Sequence, residues 1–245
     1  MKVVFIIPCF NAESNLGILV DSILEQKDER WSCILIDDLS EDKTSDKIDL
    51  VVKSDDRFES IINTEKKYAL RNIVESARRF QNDDDVIIAV IDGDDSLCNS
   101  DTVSILIDAY LEGADVVWTG HKWDINGINI SREMPKSVNP YFWPWCSSHL
   151  RTFRSSMISG IHDDNFKNVF GEWFKRGYDQ ALMLPILYLT KNRRYIDKIC
   201  YLYNIDSSSI PVGQREWSEM EQISTINIVR ARGFIDKKLY SYRKE

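Results

Sequence analysis

The sequence lacks the features that mark membrane-spanning or disulfide-rich secreted proteins. Its longest apolar runs, such as residues 3–8, are only strand-sized, whereas a membrane-spanning helix needs about 18 or more apolar residues. The N-terminal residues 1–8 lack the longer apolar stretch and cleavage site of a secretory signal peptide. The five cysteines are scattered without a CxxC pair, which argues against a disulfide framework or a zinc site. We therefore expect a cytoplasmic protein without an integral membrane segment, which leaves peripheral contact with the inner face of a membrane open.

Two widespread nucleotide-binding signatures are absent as well. No GxGxxG follows the first apolar run and no GxxxxGK[ST] occurs anywhere in the sequence. The main sequence evidence for a dinucleotide-binding protein or a P-loop protein is therefore missing. Histidine is scarce and limited to His121, His149 and His162. The length of 245 residues and the hydrophobic content of 43% are ordinary for a globular α/β protein.

The stretch VIIAVIDGDDSLC at 86–98 takes an apolar run directly into three carboxylates, those of Asp92, Asp94 and Asp95. A turn would explain Gly93 and one aspartate, because both residue types favour turns. Three like charges at one strand end repel one another unless a positive charge lies among them. A divalent cation is the usual solution, since hard cations bind carboxylate oxygens. The stretch therefore predicts a metal site, with a simple turn as the alternative.

Apolar runs alternate with amphipathic stretches along the first half of the chain. We predict strands at 2–8, 31–36, 58–63, 86–91 and 114–119, and helices at 13–26, 40–52, 68–80 and 101–111. This alternation is typical of βαβ units in a parallel sheet, where ligands bind beyond the carboxyl ends of the strands. Three polar clusters follow strand ends here, so we expect them to meet at one edge. Residues 131–149 predict a loop-rich lid or binding surface, and helical spacing returns near 150–160, 178–190 and 216–232.

Five segments in order resemble the family 2 glycosyltransferases of the GT-A fold. They are IIPCFNAESNL (6–16), LIDDLSEDKT (35–44), NTEKKYALRN (63–72), VIDGDDSL (90–97) and GYDQALMLPIL (177–187). The resemblance implies a Rossmann-like, mostly parallel sheet flanked by helices, with a loop-rich acceptor region. Residues 1–120 would form the nucleotide-sugar-binding half, and residues 121–245 the acceptor-binding half with the C-terminal helices, in one continuous domain.

The same resemblance implies a donor pocket for a nucleotide-sugar, often UDP-linked, in the first half. Phe10 would stack on the nucleobase, as aromatic rings do with bases, and a core aromatic is the alternative. Pro8 and Glu13 would shape the pocket. Asp38 would accept a hydrogen bond from the uracil ring with Asp37 beside it, although one of the pair could instead cap the following helix.

Five further residues complete the implied donor site. Lys67 or Arg71 would face the diphosphate or the base, and a solvated helix face is the alternative for both. Asp94 would be the direct metal ligand, and Asp92 would touch the ribose or the metal. The metal, Mn²⁺ or Mg²⁺, would stabilise the charge that develops on the diphosphate. Asp95 would orient a neighbour or cap the next helix.

The implied general base is Asp179, which would take a proton from the acceptor hydroxyl in an inverting reaction. A helix cap or first-turn acid is the alternative. The family often has Glu-Asp at this point, whereas this chain has Tyr178-Asp179. Many relatives also carry a late histidine after a YxY strand, and this chain has Asn204 and Asp206 there instead.

The segment WCSSHLRTFR at 145–154 offers a further group of contacts to an acceptor or diphosphate. Its candidates are Trp145, His149, Arg151 and Arg154, because an arginine pair can clamp phosphate or carboxylate. The alternative is that this segment ties the loop to the core.

The acceptor remains open between two chemistries. A glycan or a lipid-linked saccharide is the common acceptor in the family. The charge is uneven, with 12 Lys and Arg against 26 Asp and Glu in 1–119, and 19 against 13 in 120–245. A basic second half would suit DNA carrying a hydroxymethylated base, while solvated surfaces are the plain explanation. A non-catalytic sugar-nucleotide-binding protein is a third possibility.

Overall fold

The computed structural model describes residues 1–205 and 215–236. Within them, a single sheet contains eight strands, and six α-helices cover its faces. The strands are β1 (Lys2–Cys9), β2 (Trp31–Asp37), β3 (Phe58–Ile62), β4 (Val86–Val90), β5 (Ser96–Leu97), β6 (Val116–Trp123), β7 (Arg151–Arg154) and β8 (Arg193–Tyr203). The helices are α1 (Leu16–Leu24), α2 (Thr44–Ser54), α3 (Tyr68–Ala77), α4 (Thr102–Leu111), α5 (Tyr178–Leu189) and α6 (Arg215–Arg232).

The sheet is mostly parallel, with the strand order β3-β2-β1-β4-β7-β6-β8-β5. Strands β1 to β4 run parallel, as the alternation of strands and helices predicts, and β6 also pairs parallel with β8. Alternate residues of β1 enter two separate cores, one on each face of the sheet. Burial on both faces explains why β1 and β4 read as nearly continuous apolar runs.

The helix predicted near 150–160 does not form over residues 151–154. Residues 151–154 form β7, which pairs antiparallel with β4 and with β6, and a 3-10 helix follows at Ser155–Gly160. Thr152 and Phe153 are buried between these neighbours. The gain from filling the middle of the sheet outweighs the weak local preference for a helix. This short strand also brings Arg151 to the centre of the molecule.

The region 131–149 has no regular helix or strand, in agreement with the sequence. Two arginines attach it to the rest of the fold. Arg193 donates to the carbonyls of Lys136 and Val138, and Arg230 donates to those of Tyr141 and Trp143. The region is therefore fastened to β8 and α6. Across the described part of the chain, no helix combines the length and the apolarity needed to cross a lipid bilayer.

Candidate active site

A cleft of about 490 Å³ opens at the carboxyl ends of the parallel strands. Its floor comes from the end of β1 and from the turn after β4. Its walls come from the first residues of α3 and α5, from the residues after β8 and from one face of α6. The predicted convergence of polar strand ends is therefore present, since the cleft is lined by Pro8, Phe10, Asp38, Asp92, Asp94 and Asp179.

Gly93 allows the turn after β4 to lie directly on β1. A Cβ atom at this position would lie 2.9 Å from the carbonyl oxygen of Pro8 and 3.1 Å from Cα of Cys9. Both neighbours are backbone atoms of a central strand, so they cannot move aside cheaply. The glycine therefore sets the depth at which Asp92 and Asp94 meet the end of β1.

We expect Gly93→Ala to lower the melting temperature by several degrees, because the new methyl group forces the turn away from β1. Gly17→Ala is the matched control. Gly17 lies within α1, where an added Cβ atom would meet nothing within 4 Å, and alanine favours a helix over glycine by about 1 kcal/mol. Thermal unfolding of both variants checks this. Equal melting temperatures for the two variants would contradict the close approach at Gly93.

Asp92 is held from two sides by protein donors. Nη2 of Arg151 lies 3.0 Å from Oδ2 of Asp92, and the hydroxyl of Tyr178 donates to Oδ1. The same Nη2 also donates to the Tyr178 oxygen at 2.9 Å. The Arg151 side chain is only 1% exposed and that of Asp92 is 21% exposed, so the ion pair is largely shielded from water. One of the clustered carboxylates therefore has a fixed internal counter-charge.

Asp95 is buried behind Asp92 and is bound by the end of β8. Its two oxygens accept hydrogen bonds from the Tyr201 hydroxyl at 2.7 Å and from the backbone N–H of Asn204 at 2.8 Å. Burial, followed by the charges of Asp92 and Asp94, raises the pKa of Asp95 well above its ordinary value. The turn after β4 and the last residues of β8 thus form one unit.

His149 lines the cleft beside these carboxylates. Its ring stacks on Tyr201 and Tyr203, with centroid distances of 4.6 and 5.1 Å. Nδ1 is buried and has no hydrogen-bond partner within the described residues. Burial, with Arg151 and His121 nearby, holds the pKa of His149 well below its usual value, so the ring is neutral at neutral pH.

The residues present fit a divalent cation. Among the described residues, one ligand atom each from Asp92, Asp95 and His149 lies within 4.8 Å of the others. Carboxylate oxygens and a neutral imidazole nitrogen are ordinary ligands for first-row divalent metals. Asp94, the ligand that the sequence predicts, lines the cleft but is not part of this group.

Asp179 lies at the first turn of α5 and faces the same cleft. Gly177, with φ +63°, adopts the left-handed conformation just before the helix and turns the chain so that Asp179 points inward. Burial raises the pKa of the Asp179 carboxyl, although the charge of Arg151 opposes the shift. The cleft thus combines a carboxylate of raised basicity with the acidic turn after β4.

The other end of the cleft is built from an aromatic ring and a lysine. Nζ of Lys66 lies 2.8 Å from the ring centroid of Phe10 and donates to the backbone carbonyl of Asp38 at 2.9 Å. The Asp38 carboxylate accepts the N–H groups of Lys67 and Tyr68 at 2.8 and 2.9 Å. Asp38 therefore fixes the start of α3 as well as lining the cleft.

Several residues that the sequence proposed lie outside the cleft. Lys67 and Arg71 both bind Glu75 along α3. Arg154 donates to the carbonyls of Ala114 and Tyr110 and so ties β7 to its neighbours. The remaining three are also absent from the lining and serve local contacts: Glu13 accepts the N–H of Lys43, Asp37 accepts the N–H of Ser40, and Trp145 packs against a core.

The structure adds cleft residues that the sequence did not single out for the donor site. They are Lys66, Tyr68, Lys175, Arg176 and Tyr203. Sequence reasoning selected Lys67 and missed Lys66, because the sequence alone does not show which of two adjacent lysines faces the cleft before a helix. The pair Lys175-Arg176 precedes Gly177, and that glycine was the available signal for a turn that directs them toward the site.

Several solved structures have a similar architecture. TarS residues 1–349 from S. aureus, in complex with UDP-GlcNAc, has a TM-score of 0.68 at 15% identity, covering 97% of this chain and 69% of that one. A mannosyltransferase from Pyrobaculum calidifontis, in complex with GDP-Man and Mn²⁺, has a TM-score of 0.58 at 14% identity, covering 91% and 63%. A longer TarS structure has a TM-score of 0.65 at 16% identity, and this chain spans 43% of its length. The fold is therefore the GT-A type.

Sequence comparison places the chain within one family of these enzymes. The family described as glycosyl transferase family 2 matches residues 4–195. The chain belongs to this family and is a glycosyltransferase. No curated protein sequence is significantly similar to it.

Proposed function

We propose that this glycosyltransferase moves a sugar from a UDP-linked donor to an acceptor hydroxyl with inversion at the anomeric carbon. The proposal rests on one observation. Asp179 and Asp92 line the same cleft, and the positive charge of Arg151 lies beside both carboxylates. A carboxylate for the acceptor and an acidic turn for the diphosphate thus lie within reach of one substrate.

The nucleotide would occupy the end of the cleft formed by Phe10 and Lys66. Stacking on Phe10 requires Lys66 to leave the ring face, where its ammonium group lies in this structure. The displaced ammonium would then be free to meet the base or the diphosphate. Lys175 and Arg176 line the same cleft and would add positive charge beside the diphosphate.

A divalent cation, Mn²⁺ or Mg²⁺, would be held at the acidic turn by Asp92 and its neighbours, with Asp94 facing the cleft. When bound, it would offset the negative charge that develops on the departing diphosphate. Asp92 itself is oriented by Arg151 and Tyr178, which both donate to its carboxylate.

Asp179 would act on the acceptor. Its carboxylate removes the proton of the acceptor hydroxyl as that oxygen bonds to the anomeric carbon, and the bond from that carbon to the diphosphate oxygen breaks with its electron pair leaving on UDP. The raised pKa of Asp179 suits this role, because a more basic carboxylate takes the proton more readily.

A glycan or lipid-linked saccharide is the better acceptor proposal. The DNA alternative depended on basic residues of the second half, but Arg151, Arg154 and Arg193 are bound within the protein, and Arg194 pairs with Glu112. Arg151 lines the cleft but is already paired with Asp92, which leaves Lys175 and Arg176 as the second-half cations of the lining among the described residues. Two cations give little of the phosphate contact that DNA binding needs.

Release of UDP from UDP-GlcNAc tests the proposed function. We expect the purified chain to release UDP with Mn²⁺, more slowly with EDTA, and faster when a suitable glycan acceptor is supplied. A panel of UDP- and GDP-sugars with glycan and hydroxymethylated DNA acceptors identifies the pair that supports turnover. Absence of nucleotide release across the whole panel would overturn the proposal.

A further inference from the structure

The group formed by Asp92, Asp95 and His149 has a composition that the acidic turn alone does not explain. A pair of carboxylates offers only oxygen ligands, which are the ligands that hard cations prefer. Here one nitrogen of an imidazole from just before β7 lies within 4.8 Å of a ligand oxygen of each carboxylate, although it is far away in sequence. A neutral imidazole beside carboxylates is typical of sites for first-row transition metals.

His149 has the properties of a prepared ligand. The residue is 8% exposed, and its buried Nδ1 has no partner within the described residues. A buried polar atom without a partner carries a cost, so such an atom calls for an explanation. Stacking on Tyr201 and Tyr203 fixes the plane of the ring, which removes the need to order it when a ligand arrives.

The surroundings support the same role. Tyr201 donates to the Asp95 carboxylate and accepts the backbone N–H of Asp92, so one phenol holds both residues and also stacks on the histidine. Arg151 supplies one positive charge beside the two carboxylates of the group. Such outer contacts are what hold metal ligands in place in proteins.

We infer that His149 is a nitrogen ligand of the divalent cation, together with carboxylate oxygens of Asp92 and Asp95. This inference rests on the proposed function for the presence of a metal, and it changes the expected ligand set from an all-oxygen pair at Asp92 and Asp94. A nitrogen ligand favours Mn²⁺ and later first-row metals over Mg²⁺, which prefers oxygen ligands. The chain should therefore bind Mn²⁺ more tightly than Mg²⁺.

Pulsed electron paramagnetic resonance of Mn²⁺ added to the whole chain tests this directly, because a coordinated imidazole gives a nitrogen modulation of the echo. We expect that modulation in the unaltered chain, its loss in His149→Asn, and a fall in Mn²⁺ affinity of at least about tenfold. His162→Asn is the matched control, since His162 is a partly exposed residue that accepts the N–H of Asp164. It should keep both the modulation and the affinity.

Several results would overturn the inference. One is Mn²⁺ binding without nitrogen modulation in the unaltered chain, a measurement that needs no variant and so does not depend on how His149→Asn folds. Another is loss of the modulation in His121→Asn while His149→Asn keeps it. UDP release with an all-oxygen Mn²⁺ site would remove this inference and leave the proposed function standing. Nitrogen modulation without any nucleotide release would support this inference and overturn the proposed function.

Discussion

Asp179→Asn is expected to abolish sugar transfer while leaving UDP binding unchanged. The amide keeps the size and hydrogen-bonding capacity of the side chain but cannot accept the acceptor's proton. Positioned general bases contribute about 10²–10⁴-fold to rate, so we expect kcat to fall by at least about 100-fold. UDP release from the donor, measured beside calorimetric binding of UDP, separates the two effects.

The control for this variant is Asp108→Asn, which alters an exposed carboxylate on α4. It should leave transfer and binding unchanged. Full transfer by Asp179→Asn would show that another group is the base. It would also revive the alternative in which Asp179 serves as a first-turn acid of α5.

The pH dependence of kcat/KM follows from the same residue. The base must be ionised, so activity should rise with pH as the Asp179 carboxyl loses its proton. An ordinary aspartate has a pKa of about 3.9. Because burial raises the pKa of Asp179, the rise in kcat/KM should occur at a higher pH than that value. An acid limb at the ordinary value would place the base elsewhere.

Arg151→Met is expected to destabilise the fold by about 3 kcal/mol. Methionine fills part of the space but leaves Asp92 and the Tyr178 hydroxyl without their shared donor. Removing one partner of a buried ion pair costs about 3–5 kcal/mol, and the lower end applies because the Asp92 side chain is 21% exposed. Urea unfolding gives the free energy.

A double-mutant cycle with Asp92→Asn shows whether the loss comes from the abandoned charge. We expect the double variant to regain part of the stability, since the amide carries no charge to leave unpaired. Arg194→Met is the control, because its partner Glu112 is 64% exposed and a surface pair contributes about 1 kcal/mol or less. Equal losses for the two arginine variants would contradict the buried role of Arg151.

Much of the fold could be predicted because the signals for it are local. Each parallel strand is a short apolar run that ends in polar residues, and the side chains at those ends share an edge by geometry alone. That argument places Pro8, Asp38 and Asp92 together without any knowledge of the rest. The order of the helices and the loop-rich region 131–149 are equally visible in the sequence.

The rest depends on contacts between distant segments. Nothing local shows that residues 151–154 enter the sheet as a strand, and that strand is what carries Arg151 and His149 to the acidic turn. Lys66 and Lys67 differ only in which way the chain turns before α3. The sequence has no histidine just after β8, which suggested that no histidine lies near the acidic turn. The tyrosines of β8 in fact stack on His149, which comes from a distant segment. Asp206, which the sequence has after β8 instead of a histidine, lies outside the described residues.

Calorimetric titration of UDP into the purified chain tests the central claim that this cleft binds a sugar nucleotide beside a metal. We expect binding in Mn²⁺, weaker binding in EDTA, and loss of the metal-dependent part in Asp92→Asn. Phe10→Ala should weaken binding in both conditions by about 1–3 kcal/mol, since a stacked base is lost. UDP binding that is equally strong in EDTA and unaffected by either variant would contradict the account and place the nucleotide elsewhere on the chain.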